Sequence, residues 1–293
     1  MPSAATRPIS DSVRRLGLGT VQFGQAYGVS NRRGQVSPDE AAAILTRAAE
    51  RGVGVLDTAA NYGQAESVLA ALDTRPFRIV TKTVSGRSGA DAVVARARAS
   101  KAALSQADTL LVHAAADLDD PALWPALQTL KEEGVFSRIG ISAYVADDPA
   151  RLAERFRPDT MQLPFSLLDQ RLLRDGTLAR LAALGVEVHA RSLFLQGLLL
   201  MAPDALPDHL KSAAPHLTSL RARLTEAGTT PLVAALGFAL SQPEIAVALV
   251  GVTGLDEFNA ILAAAAQPLP ALDWQACALK DERILTPSQW NQP

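Results

Sequence analysis

The 293-residue chain lacks features that several classes of protein require. Its single cysteine, Cys277, excludes an intramolecular disulfide framework and a multi-cysteine zinc site, and we expect no metal site. The 28 basic and 30 acidic residues give a net charge of −2, so no basic surface for nucleic acid or an anionic membrane is expected. The longest apolar run, 261–266, is far shorter than the ~20 residues of a membrane span.

A secretory signal is also not expected. Residues 1–11 contain Arg7 but no apolar stretch, which is not typical of a signal peptide, so we predict a cytoplasmic protein. Hydrophobic residues make up 48% of the chain and charged residues 20%, so the chain can bury a large core.

Short apolar segments alternate along the chain with longer segments rich in alanine and leucine. The short segments are nearly continuous in apolar residues, as expected of parallel strands buried on both faces. We predict strands at 15–23, 54–58, 78–82, 109–113, 138–142, 160–163, 186–191 and 247–251. We predict helices at 38–51, 65–72, 90–106, 122–133, 149–156, 172–184, 231–242 and 255–265.

This alternation predicts a (β/α)8 TIM barrel that forms one domain over residues 1–293. Its accessory parts are predicted as an N-terminal extension at 1–12, a long loop over the barrel mouth at 192–230 and a C-terminal segment at 267–293. A doubly wound sheet is the alternative, but it usually has a glycine-rich phosphate loop between a strand and a helix. Leu16-Gly17-Leu18-Gly19 has no third glycine and no predicted helix after it, so we interpret it as a strand.

The active site of such a barrel lies where strands end and βα loops begin. The polar residues and glycines at the predicted strand ends are Asp57, Lys82, His113, Ser142, Gln162, Arg191 and Gly251, and Tyr62 follows Asp57 by five positions. A tyrosine is a poor acid at neutral pH unless a neighbour such as an ammonium assists it, and a carboxylate keeps that ammonium charged. Each of these residues, taken alone, is explained equally well by a structural role in capping, ion pairing or packing. Their joint position on neighbouring strands indicates a function in proton transfer.

The segment Asp-Thr-Ala-Ala-Asn-Tyr-Gly at 57–63 resembles the signature of the aldo-keto reductases. Thr-Lys-Thr at 81–83, Leu-Leu-Val-His at 110–113, Gly-Ile-Ser at 140–142 and Gln-Gly-Leu-Leu at 196–199 are similar to later segments of that family. The resemblance implies a carbonyl reductase that uses NADPH by default, with NADH as the alternative. It also implies that Tyr62 is the general acid, that Lys82 and Asp57 tune it, and that His113 orients the carbonyl.

The resemblance further implies a cofactor laid across the barrel mouth. Ser142 and Gln162 would hold its carboxamide, 192–199 would follow its pyrophosphate and 251–253 would meet its adenosine. The full set of implied cofactor residues is Gly19, Thr20, Ser142, Gln162, Arg191, Ser192, Gln196, Gly251 and Thr253.

The chain departs from the family pattern at several positions. Ala143 stands where asparagine is usual, and Arg191 stands where an aromatic residue commonly stacks on the nicotinamide. The segment 251–258 lacks the basic residues that usually grip a 2′-phosphate, and it contains Asp256 and Glu257 instead. The N-terminal hairpin that closes the barrel floor is expected to be short or absent.

Two other functions remain open at this point. A barrel lysine such as Lys82 can form a Schiff base, as in a lyase or aldolase, although Asp57 would oppose this by keeping the lysine charged. A nucleotide-sensing subunit with little turnover is the other alternative. We expect a small carbonyl substrate, no nucleic acid or membrane partner, and a monomer or weak homo-oligomer.

Overall fold

Eight parallel strands form a closed barrel in chain order in the computed structural model, which describes residues 11–290. Each strand pairs with the next, and β8 pairs with β1. The strands are β1 Leu16–Gly19, β2 Val55–Asp57, β3 Arg78–Lys82, β4 Ala107–Val112, β5 Arg138–Ser142, β6 Thr160–Pro164, β7 Glu187–Arg191 and β8 Ile245–Gly251. The predicted (β/α)8 barrel is therefore confirmed, and the glycine segment at 16–19 is a strand.

Helices connect the strands on the outside of the barrel. They are α1 Asp11–Arg14, α2 Val21–Gly24, α3 Pro38–Glu50, α4 Ala65–Ala70, α5 Ala90–Ala103, α6 Leu123–Glu132, α7 Pro149–Phe156, α8 Arg171–Arg174, α9 Thr177–Ala183, α10 Ala214–Glu226, α11 Pro231–Leu240, α12 Leu255–Ala265 and α13 Glu282–Leu285. None of the helices described within 11–290 is both long and apolar enough to cross a membrane.

The local sequence explains where several helices begin and end. The Ser37 side chain accepts a hydrogen bond from the Glu40 amide, and Pro38 occupies the first turn of α3. Thr230 and Pro231 start α11 in the same way. Gly52, just after α3, has a φ of 72°, a left-handed conformation that glycine adopts without the Cβ strain of other residues.

Three local expectations were wrong. The helix predicted at 172–184 is two helices, because Gly176 adopts a φ of 79° between α8 and α9. The strand predicted at 15–23 ends at Gly19, and a one-turn helix, α2, follows where none was expected. The four residues of α2 are too few to show a helical period in the sequence.

The accessory segments are described in part. The segment 192–230 contains three 3₁₀ turns, Leu198–Leu200, Pro203–Ala205 and Asp208–Ala213, followed by α10. The expectations for residues 1–10, including the N-terminal hairpin, and for residues 291–293 lie outside the described residues.

An apolar cluster lies in the barrel interior below Asp57 and Lys82. Val55 and Val80 lie two positions before Asp57 and Lys82, and therefore share a strand face with them. They form a buried cluster with Leu111, Val247 and Leu249. A larger apolar core contains residues of the strands and of the surrounding helices. Asp57 and Lys82 thus lie directly above buried apolar side chains.

Candidate active site

The sequence-predicted site residues meet at the carboxyl ends of the strands. Asp57, Lys82, Ser142, Arg191 and Gly251 are the last residues of their strands. A cavity of about 530 Å³ opens there, within the ~300–1,000 Å³ typical of small-molecule sites. Asp57, Tyr62 and His113 line it, together with all the implied cofactor residues: Gly19, Thr20, Ser142, Gln162, Arg191, Ser192, Gln196, Gly251 and Thr253.

Lys82 lies beneath the cavity and joins its neighbours. Its ammonium donates to Asp57 Oδ1 at 2.8 Å and Oδ2 at 2.7 Å, to the Thr58 carbonyl oxygen at 2.9 Å and to the Tyr62 hydroxyl at 3.3 Å. The lysine side chain is 1% exposed. The Gln162 amide nitrogen donates to Asp57 Oδ1 at 2.6 Å from across the barrel, so the carboxylate is held from two sides.

The balance of forces on Lys82 keeps it protonated. Burial alone lowers the pKa of a lysine, but the charge of Asp57 and the hydrogen bonds that Lys82 donates to Asp57 and Tyr62 outweigh burial and raise the pKa of Lys82 above its ordinary value. A protonated amine has no lone pair for attack on a carbonyl. This arrangement suits electrostatic support of the Tyr62 hydroxyl better than imine formation.

Tyr62 lies on the loop after β2. This loop packs closely against α2 at two glycines, Gly24 and Gly63, and the contact positions the tyrosine. A Cβ on Gly24, the last residue of α2, would overlap the Tyr62 carbonyl oxygen. The Gly24 carbonyl oxygen accepts from the Gln64 amide at 3.3 Å, and Gly63 has a φ of 54°. The close approach of α2 to this loop therefore requires glycine at position 24. Sequence reasoning missed this role, because no local pattern shows which segments touch.

His113 stands beside Tyr62 with their rings edge to face, at a centroid distance of 5.8 Å. Its backbone N–H donates to Thr83 Oγ1 at 3.1 Å. Burial, and then the positive charge of Lys82, lower the pKa of His113 to about 4. The imidazole is therefore neutral at physiological pH and can donate one ring N–H to a carbonyl oxygen.

Aromatic residues and an arginine surround the cavity mouth. The Arg191 guanidinium stacks on the Tyr144 ring at 4.3 Å and donates to the Ala143 carbonyl oxygen at 3.2 Å. Within residues 11–290, Arg191 has no carboxylate at ion-pair distance. Tyr27 also lines the cavity, and burial, followed by the neighbouring tyrosines 62 and 144, raises its pKa. Sequence reasoning singled out neither Tyr27 nor Tyr144, both of which lie in βα loops.

Two glutamines offer polar groups to a ligand. Gln22 is 8% exposed and lines the cavity, and its Oε1 has no hydrogen-bond partner. Gly251 lies against it, and a Cβ there would be 2.8 Å from Gln22 Nε2. Gln162 also lines the cavity, and its amide nitrogen donates one hydrogen bond to Asp57. The unpartnered oxygen of Gln22 is buried beside Gly251, which has no side chain. This arrangement fits a site for a polar ligand such as a nucleotide.

Comparisons with known proteins agree with this geometry. The model of the aldo/keto reductase family matches residues 15–282. The chain belongs to the aldo-keto reductase family. Aldo-keto reductases are oxidoreductases, so this family places the chain among the oxidoreductases. No match was found among curated proteins.

Solved aldo-keto reductases share the fold. A Pseudomonas aeruginosa protein assigned to this family is 25% identical, with a TM-score of 0.65 over 89% of this chain and 94% of that chain. The holo form of an aldo-keto reductase from Bacillus halodurans is 23% identical, with a TM-score of 0.71 over 95% of this chain and 94% of that chain. Within residues 11–290, no group of three or more histidine, cysteine, aspartate or glutamate residues is arranged to hold a metal ion.

Substitution of Gly24 tests how Tyr62 is held. Gly24→Ala should displace the Tyr62 loop and reduce stability by ~1–3 kcal/mol, the usual effect of overpacking. Gly54→Ala is the matched control, since a Cβ there meets no atom within 4 Å. Calorimetry would give the stabilities and a crystal structure the distance between the Tyr62 hydroxyl and Lys82. An unmoved tyrosine in Gly24→Ala would contradict this account.

The depressed pKa of His113 predicts a dependence of stability on pH. Between pH 6.5 and about 4 the unfolded chain binds a proton at this histidine and the folded chain does not. The stability linked to the neutral ring is complete above pH 6.5 and is lost as the pH falls toward 4. His113→Gln should show a shallower loss of melting temperature across this window than the wild type. Parallel curves for the two proteins would mean that the pKa is not depressed.

Proposed function

We propose that the chain is an NAD(P)H-dependent reductase that converts an aldehyde or ketone to an alcohol, with Tyr62 as general acid. The observation that carries this proposal is the Tyr62 hydroxyl at 3.3 Å from the ammonium of Lys82, which Asp57 holds at 2.7 Å. The tyrosine faces the cavity while the lysine lies beneath it. The group that can reach a substrate is thus the phenol.

The neighbours of Tyr62 support proton donation. Transfer of its proton to a carbonyl oxygen leaves a phenolate, whose negative charge the Lys82 ammonium stabilises. Asp57 keeps that ammonium charged, and both side chains are buried. The neutral ring of His113 stands beside the phenol and can donate a hydrogen bond that orients the same carbonyl oxygen.

The cavity also supports binding of a nicotinamide cofactor, which when bound would supply the hydride. Ser142 and the Gln162 oxygen lie near the catalytic set and would hold its carboxamide. Ser192 and Gln196 would contact the pyrophosphate, and Gly251 and Thr253 the adenosine. The Arg191 guanidinium is free of any carboxylate among the described residues and can pair with a phosphate or stack on a ring.

The Schiff-base alternative is not supported by this site. The Lys82 amine makes four contacts, to both oxygens of Asp57, to Thr58 and to Tyr62, and it does not line the cavity. Attack on a substrate would require loss of its proton and of the ion pair with Asp57. The raised pKa of the lysine means that the proton and the ion pair are both held more firmly than in a free lysine, so attack is disfavoured.

Removal of the Tyr62 hydroxyl is the direct test. Tyr62→Phe should lower the turnover of carbonyl reduction by about 10²–10⁴-fold, the usual effect of losing a general acid. The dissociation constants of NADPH and NADH should change little, because the ring remains. Turnover would be measured with a panel of aliphatic and aromatic aldehydes and ketones and both cofactors.

Cofactor binding and melting temperature serve as the controls for folding of this variant. Wild-type turnover in Tyr62→Phe would refute the role of the tyrosine. Tight cofactor binding by the wild type without reduction of any carbonyl in the panel would instead favour a nucleotide-sensing protein.

A further inference from the structure

The cavity extends from the catalytic set to the start of α12. Besides Tyr62 and His113, it is lined by Thr253, Glu257, Ala260 and Ile261, which lie before α12 or in its first two turns. The amino end of a helix carries free N–H groups and a positive potential, and so attracts anions such as phosphates. The charges of the side chains at this helix start therefore decide which ligand this end accepts.

Two carboxylates of the chain already lie at this helix start, one bound to its first N–H and one to the N–H of Thr253 just before it. Glu257 Oε2 accepts from the Thr253 amide at 2.7 Å, and Glu40 Oε1, from α3, accepts from the Leu255 amide at 3.0 Å. Glu257 is exposed on the cavity wall. A phosphate arriving here would meet negative charge where a helix start normally offers positive potential.

The basic residue beside this helix start, Arg33, is also occupied. Arg33 Nη2 donates to both oxygens of Glu40, at 3.2 Å and 3.0 Å. Its guanidinium lies so close to Gly254 that a Cβ on this glycine would overlap it. Glu40 thus neutralises the positive charge of Arg33. The additional carboxylate of Glu257 gives the region a net negative charge.

We propose that Glu257, supported by Glu40, makes the site select a nucleotide with a free 2′-hydroxyl, as in NADH, over one with a 2′-phosphate, as in NADPH. This inference rests on the proposed nicotinamide-dependent function and reverses the default implied by resemblance. A hydroxyl can donate a hydrogen bond to a carboxylate, whereas a phosphate monoester, with about −1.5 to −2 charge at neutral pH, cannot and is repelled.

Binding measurements on the wild-type protein test the preference without relying on turnover. Fluorescence titration at ~10 mM salt should give a dissociation constant for NADH at least about tenfold below that for NADPH, equivalent to about 1.4 kcal/mol. Calorimetry with adenosine 5′-monophosphate and adenosine 2′,5′-bisphosphate should show the same order. The ratio should shrink in ~0.5 M salt, because Glu257 is exposed and its charge is screened.

Charge-neutralising variants locate the cause. Glu257→Gln keeps an acceptor for the Thr253 amide and should reduce the NADPH-to-NADH ratio of dissociation constants by about tenfold, mainly through tighter NADPH binding. Glu40→Gln should act in the same direction by releasing Arg33. Asp256→Asn is the matched control: it removes the same charge one position away, at an exposed residue that does not line the cavity, and should leave the ratio unchanged.

Three results would overturn the inference. Equal dissociation constants for the two cofactors would do so, as would an equal effect of Asp256→Asn and Glu257→Gln. Tighter binding of NADPH that is lost in Arg33→Gln would instead assign the 2′-phosphate to Arg33. Failure of both cofactors to bind, in a protein shown to be folded by its melting transition, would refute the proposed function itself.

Discussion

The buried ion pair between Lys82 and Asp57 is the constraint on which the site depends. Burying two charges is costly unless their geometry is good and further hydrogen bonds satisfy the remaining donors and acceptors. Here β2 and β3 supply the pair as neighbours, and Gln162 reaches Asp57 from β6. Closure of the barrel brings that glutamine across the interior. The pair is itself buried, and the apolar side chains of Val55 and Val80 lie beneath it.

The tyrosine is held by a different kind of interaction. It belongs to no strand, so the barrel alone does not fix its position. Its hydroxyl reaches Lys82 because the loop after β2 rests on α2 through the close contact at Gly24. Strand pairing thus places the charges, and loop packing places the Tyr62 hydroxyl beside them. A substitution in α2 can therefore disable the site without touching a charged residue.

The sequence predicts the barrel and most of the site because both follow local patterns. Apolar runs mark buried strands, and polar residues such as Asp57, Lys82 and Ser142 mark their ends, which parallel pairing brings together. Contacts between distant segments leave no such mark. The bond from Leu255 to Glu40 joins positions 215 residues apart, and Gln22 lies on a one-turn helix with no period to detect. Those features required the folded chain.

Charge is distributed unevenly along the cavity, and this distribution limits its chemistry. Near Tyr62, Lys82 remains protonated, and burial together with the charge of Lys82 lowers the pKa of His113 and keeps it neutral. Neither residue is therefore suited to exchange protons with a substrate near neutral pH, which is consistent with the proposed role of Tyr62. Arg191 adds a positive charge without a carboxylate partner among the described residues, whereas Glu257 contributes a negative charge near α12. An elongated ligand with unlike ends would therefore bind in one orientation, because reversing it would place its charged groups against like charges.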